Sequence, residues 1–219
     1  MSKKLWGGRF NKKTDPLVEE FTKSIDYDYR LAKYDALGSL YHTKLLKKAG
    51  IISLKEAKEL QKGLLAILKE IKFNKFIPNK KFEDIHTDIQ NKLEKRVGAA
   101  TLKLHTARSR NEQIVFDTKV YCVHTGAEIV KLIEEIRKQI DNFAKKNQNI
   151  ILPGYTHMQH AQPIALKQYI SAYGYMLKRD LGRIKNALTR IRYPIGSGAL
   201  AGTMIKREVY NETAKEMAN

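Results

Sequence analysis

The chain holds one cysteine, Cys122, so no intramolecular disulfide can form. That excludes a secreted, cross-linked scaffold and favours a reducing, cytoplasmic setting. Five prolines and thirteen glycines in 219 residues are too few for a loop-rich all-β chain. Long apolar runs are missing as well. The longest stretch without Asp, Glu, Lys or Arg, 147–166, is studded with Asn, Gln, Thr and His and is no membrane span. Met1 to Gly8 carries basic residues with no apolar segment after them, so it does not read as a signal peptide. Acid is scarce: 23 Asp and Glu stand against 41 Lys and Arg, a net charge of +18. The lysines are scattered, however, and the doublets Lys47-Lys48, Lys80-Lys81 and Lys145-Lys146 read as solvated helix faces. No nucleic-acid role is expected, while the field should attract anionic small molecules.

What is present is helix after helix. A hydrophobic share of 42% and a charged share of 29% suit a globular protein with a real core. From Leu31, Tyr34, Gly38, Tyr41 and Leu45 recur in steps of three and four. Ser53 and Glu56 form a capping box ahead of Ala57, Leu60, Leu64, Ile67 and Ile71. A third helix is expected near Glu83-Asp84, carrying Ile85, Ile89, Leu93 and Val97 until Gly98 stops it. Between Gln113 and Asn147, the positions Cys122, Gly126, Ile129, Ile133, Ile136, Ile140 and Phe143 keep a four-three spacing, which predicts a long bundle helix. A similar helix is expected just after Pro163, with Leu166, Ile170, Tyr173, Leu177, Leu181, Ile184, Leu188 and Ile191 as its seam. The segment from Lys206 reads as a further helix. No run alternates convincingly as a strand. The expectation is an all-α chain, with a small N-terminal helical domain over 1–105 and the first long helices of an elongated bundle over 106–219. Two long helices and part of a third do not close a bundle, so heavy oligomerisation or a longer parent protein is expected.

Three stretches interrupt the helices. In 104–113, Ser109 and Glu112 have capping-box spacing, which places Arg108, Arg110 and Asn111 at the start of the long helix. Free backbone N–H groups beside two guanidiniums make a carboxylate or phosphate site; the alternative is a plain cap whose arginines pair with nearby acids. In 153–163, Thr156, His157, Gln159, His160 and Gln162 form an uncharged polar cluster, suited to a ligand that brings its own charge. His157 or His160 could transfer protons there, or both could cap the next helix. A metal is not expected, because neither histidine has Asp, Glu or Cys nearby. The third stretch, 194–203, has three glycines but neither a P-loop nor GxGxxG spacing. It reads as a bend packed against a ligand or another helix.

These stretches resemble the argininosuccinate lyases of the fumarase/aspartase superfamily. Lys4-Leu5-Trp6-Gly7-Gly8-Arg9-Phe10 is similar to their opening. Ser24-Ile25-Asp26-Tyr27-Asp28 and Glu83-Asp84-Ile85-His86-Thr87 are similar to two substrate segments. Leu104 to Gln113 resembles their LHTARSRNDQ block, Gly154 to Pro163 their GYTHLQxAQP block, and Gly196 to Thr203 their GSGALAGT bend. The resemblance implies elimination of arginine from argininosuccinate to leave fumarate, with no cofactor and no metal. It implies a helical core built as a homotetramer, with sites shared among subunits. Ser24, Asn111 and Thr156 match substrate-binding positions, and His157 matches the active-site histidine. His86, Arg108, Ser109, Arg110 and Gln159 match the motifs that line the site.

Two departures stand out. Position 112 is Glu where the family usually has Asp. The family's mobile loop with its catalytic serine reads roughly GSSxMPxKxN, and this chain has no Ser-Ser pair. The expectation is an N-terminal portion of such a lyase, inactive alone. The alternatives are a catalytically silent relative of lens-crystallin type and an adenylosuccinate lyase.

Overall fold

The computed structural model describes residues 14–218. The opening motif, Lys4 to Phe10, lies outside them. In chain order the elements are α1 (Pro16–Thr22), α2 (Ile25–Asp28), a 3-10 turn (Tyr29–Leu31), α3 (Ala32–Lys48), α4 (Leu54–Lys72), α5 (Ile85–Val97), α6 (Ala100–Lys103), α7 (Arg110–Lys146), β1 (Ile151–Thr156), β2 (Gln159–Ala165), α8 (Leu166–Thr189) and α9 (Arg207–Ala218). The chain divides into two compact units, one of 1–120 with 193–219 and one of 121–192.

In the first unit α3, α4 and α5 pack around one core. Ser53 and Glu56 cap α4 reciprocally, so its start is fixed by its own side chains. Its apolar stripe, Ala57, Leu60, Leu64 and Ile67, is buried against Ile85, Ile89 and Leu93 of α5. Burying a Leu or Ile side chain contributes roughly 1.5–3 kcal/mol, so this stripe dominates the unit's packing. Asp84 caps α5 by accepting from the Thr87 N–H, and Gly98, at φ 66°, ends it. Every one of these boundaries agrees with the sequence expectation. α9 returns to this unit, where Val209 and Tyr210 pack on the same core.

α3 departs from its expected stripe. Its buried residues include Asp35, Ser39, His42 and Thr43 as well as Tyr34, Leu45 and Leu46. A second, polar face is thus sealed inside the unit.

The second unit holds most of α7, the β1–β2 hairpin and α8. Arg137 on α7 donates to the Gly174 carbonyl of α8 at 3.3 Å, and Lys185 pairs with Glu134 at 2.7 Å. The hairpin corrects the expectation of no strand. None of its residues is fully buried and β2 keeps no regular in-out alternation, so the sequence carries little strand signal to read. The helix expected just after Pro163 opens at Leu166, but Pro163, whose fixed φ suited the helix's first turn, lies in β2 opposite Pro153 instead. A two-stranded ribbon is all edge, where proline's missing N–H is tolerated. Gly154 sits at the ribbon's register shift, where an added Cβ would meet the Gln162 carbonyl oxygen at 2.7 Å. Among the described residues no helix is long and apolar enough to cross a membrane.

Candidate active site

The polar face of α3 meets the start of α7 and α5 in a buried cluster. Asp35 on α3, His86 on α5 and Asp117 on α7 are each at most 2% exposed. His86 Nδ1 lies 3.7 Å from Asp35 Oδ2 and 3.4 Å from Asp117 Oδ2. Gln113 donates its side-chain amide to Asp35 Oδ1. Burial, with Asp35's charge beside it, pushes Asp117 up to about 9. Burial acts to raise Asp35 too, but His86, Arg108 and Gln113 outweigh it and hold that carboxyl below its usual range. The cluster therefore carries one ionised and one protonated carboxyl at neutral pH. Atoms of Asp35, His86 and Asp117 converge within 4.8 Å, a spacing that could hold a cation. Arg108 already supplies positive charge beside both groups.

The block preceding α7 wraps this cluster. Ser109 caps the helix: its hydroxyl accepts from the Asn111 N–H at 3.2 Å, and its own N–H donates to Glu112 Oε2 at 3.1 Å. Arg108 is half-buried, donates to Ser39 Oγ at 3.1 Å, and lies within the electrostatic reach of Asp35 and Asp117. Burial pulls its guanidinium below the ordinary arginine value. Neither reading of this block describes Arg108 outright: its hydrogen bond goes to Ser39, while Asp35 and Asp117 act on it only through space. Arg110 instead donates to Gln113 Oε1 at 3.1 Å, and Asn111 is exposed.

Two histidines that the sequence did not single out complete the wall. His42 donates to the Thr106 carbonyl at 2.9 Å; burial and Arg108 depress it to about 3. His105 donates to Gln90 Oε1, and burial with Arg108 and Arg110 takes it to about 4. Both are neutral donors that position backbone and amide groups. His42 gave no spacing signal, because a polar residue at helical period reads as a solvated face; His105 lies in the turn ahead of α7, inside the Leu104–Gln113 block, whose readings rested on other residues.

Ser24 opens α2, and its hydroxyl donates to Asp28 Oδ2 at 2.6 Å. Asp28 in turn accepts from the Ile85 N–H at 3.1 Å, at the start of the helix that carries His86. The Ser24 N–H donates to the Glu83 carbonyl at 2.8 Å. The two short motifs are thus laced together. The 196–203 bend reaches the same block, with Ser197 donating from both N–H and hydroxyl to Glu112 Oε1 at 2.8 Å. This matches a bend packed against another helix.

Thr156, His157 and Gln159 belong to the second unit. Thr156 and Gln159 face each other across the hairpin end, and His157 and Met158 form its tip at φ 48° and 63°. Two positive φ values are what a tight type I′ turn demands, and neither residue is glycine. All four are exposed. His160 is engaged across the ribbon, with its Nε2 2.9 Å from the Tyr155 hydroxyl. Neither histidine caps α8, whose N-cap, Ala165, makes no side-chain bond.

The profile of a protein family described as Lyase matches residues 8–219. The argininosuccinate lyase of Desulforamulus reducens is 47% identical over 201 residues, covering 91% of this chain and 44% of its own length. That of Clostridium kluyveri is 43% identical over 215 residues, covering 98% and 49%. The chain thus spans less than half the length of these curated relatives. Among solved structures, an EDDS lyase in complex with formate superposes with a TM-score of 0.71 at 21% identity, covering 90% of this chain and 40% of that one. A Brucella melitensis "fumarate lyase:delta crystallin" bound to cobalt gives 0.70 at 14%, covering 92% and 48%. These likenesses carry the fold. Since the profile runs through the capped α7 block, the hairpin and the glycine bend alike, the chain belongs to that lyase family.

Proposed function

We propose that this chain forms the N-terminal part of an argininosuccinate lyase, which eliminates arginine from argininosuccinate and leaves fumarate. The observation that carries the reading is the 47% identity to such an enzyme across 91% of the chain. In the reaction a base takes a proton from the succinyl carbon, giving a carbanion stabilised as an aci-carboxylate. The carbon–nitrogen bond then breaks, and a general acid protonates the departing guanidino nitrogen. Ser109, Arg110 and Asn111 at the start of α7 bind substrate carboxylate, where backbone N–H groups and a guanidinium favour anions. Arg108 shapes that wall from beneath, held by Ser39. His86, 2% exposed, acts through Asp35 and Asp117. Ser24 contributes from the start of α2, and Thr156, His157 and Gln159 from the hairpin, with His157 in proton transfer and Thr156 beside it.

The hairpin tip and the apolar residues along α7 and α8 are exposed in this chain, which suits a site completed by further polypeptide and by other subunits of a homotetramer. The reaction as read needs no cofactor, and the setting is cytoplasmic. The 1–105 and 106–219 portions act as supporting domain and bundle. Fumarate release from argininosuccinate, with adenylosuccinate offered in parallel, tests the reading.

A further inference from the structure

Glu112 is 8% exposed, yet its carboxylate serves two segments at once. Oε2 accepts the Ser109 N–H at 3.1 Å, at the cap of α7. Oε1 accepts the Ser197 N–H and hydroxyl, each at 2.8 Å, from a segment 85 residues away. The 196–203 bend has little else to hold it. Gly196, Gly198 and Gly202 have φ of 100°, 58° and 92°, and glycines lose the most backbone freedom on ordering. The bend closes on itself through the Gly202 N–H to the Ser197 carbonyl at 2.7 Å, and its far end meets α9 where Thr203 Oγ1 lies 2.7 Å from the Tyr210 hydroxyl. It is therefore a strap fixed to α9 at one end and to Glu112 at the other. Ser197 is its node. Hydrogen bonds to a carboxylate are roughly twice as strong as neutral ones, so the Glu112 end is the firmer anchor.

We propose that Glu112 is a positioning residue that clamps the 196–203 strap to the first turn of α7 and thereby fixes the Arg108–Asn111 segment for substrate carboxylate. The link to substrate rests on the lyase reading; the clamp does not. Glutamate length matters, because an aspartate arm is about 1.5 Å shorter and reaches one partner rather than both.

The test uses the chain assembled with the complementary C-terminal portion of the Desulforamulus reducens relative, and two readouts. Amide exchange at Ser197 and Gly202 should accelerate about tenfold or more in E112A, while Leu60 and Leu64 in α4 keep their protection. S197A, which retains the backbone N–H, should change Gly202 less, and E112D should fall between wild type and E112A. In turnover, E112A should raise KM for argininosuccinate about tenfold and leave kcat within about threefold, the signature of lost binding. Unchanged exchange at Ser197 and Gly202, or equal acceleration in α4, overturns the clamp. Accelerated exchange with unaltered KM overturns its link to substrate. An assembled wild-type complex that turns over no argininosuccinate refutes the lyase reading, and the exchange result still decides the clamp.

Discussion

His157 sits at a turn position with φ 48°, a conformation that asparagine tolerates better than most residues. His157→Asn therefore keeps the hairpin and removes the acid–base group. Turnover of argininosuccinate should fall about 10²-fold or more. His160 is occupied with Tyr155, so His160→Asn should cost much less. Equal losses would misassign the working histidine. Asp117 gives a second test at this scale. An unfolded aspartate titrates near 4, whereas folded Asp117 is pushed up to about 9, so the native state keeps a proton that the unfolded state has released. Its contribution to stability is full below about pH 4 and is lost as pH rises toward 9. Asp117→Asn removes that dependence. In urea titrations the variant should gain on wild type between pH 5 and 8, by at most about 1.4 kcal/mol per pH unit. A gain that shrinks with pH would contradict the assignment. The residues matched by motif, Ser24, His86 and 108–111, were legible because their neighbours in sequence are unusual. Asp35, Ser39, His42 and Asp117 were not, since burial of a polar helix face depends on what packs against it.

At the scale of elements, legibility followed local chemistry. α4 and α5 begin where Ser53 and Asp84 cap them, and each stripe has the helical period. Ser53→Ala should cost about 1 kcal/mol of stability in urea titration, because Glu56 loses its reciprocal partner. No measurable loss would mean that tertiary packing alone sets the start of α4. The hairpin was illegible for the opposite reason. It buries little, so nothing in its polarity repeats with period two, and two facing prolines spoke against a strand. Its turn residues, His157 and Met158, lack the usual Asn-Gly signal.

Across the molecule, labour is divided between the two units. The first holds the buried Asp35–His86–Asp117 cluster at the capped start of α7, and the second presents a polar hairpin. Ile129, Leu132, Ile136 and Phe143 on α7 and Tyr169, Tyr173 and Met176 on α8 lie exposed, a surface suited to further helices. The all-α class was legible from the long seams, which no strand period could imitate. The most direct test follows fumarate release from argininosuccinate by the 219-residue chain. It is assayed alone and together with the complementary C-terminal portion of the Desulforamulus reducens relative, with adenylosuccinate as the parallel substrate. The account predicts no fumarate from the chain alone, and release from argininosuccinate, not adenylosuccinate, once the two portions assemble. Fumarate from the unaided chain, or an assembled complex that prefers adenylosuccinate, would contradict it.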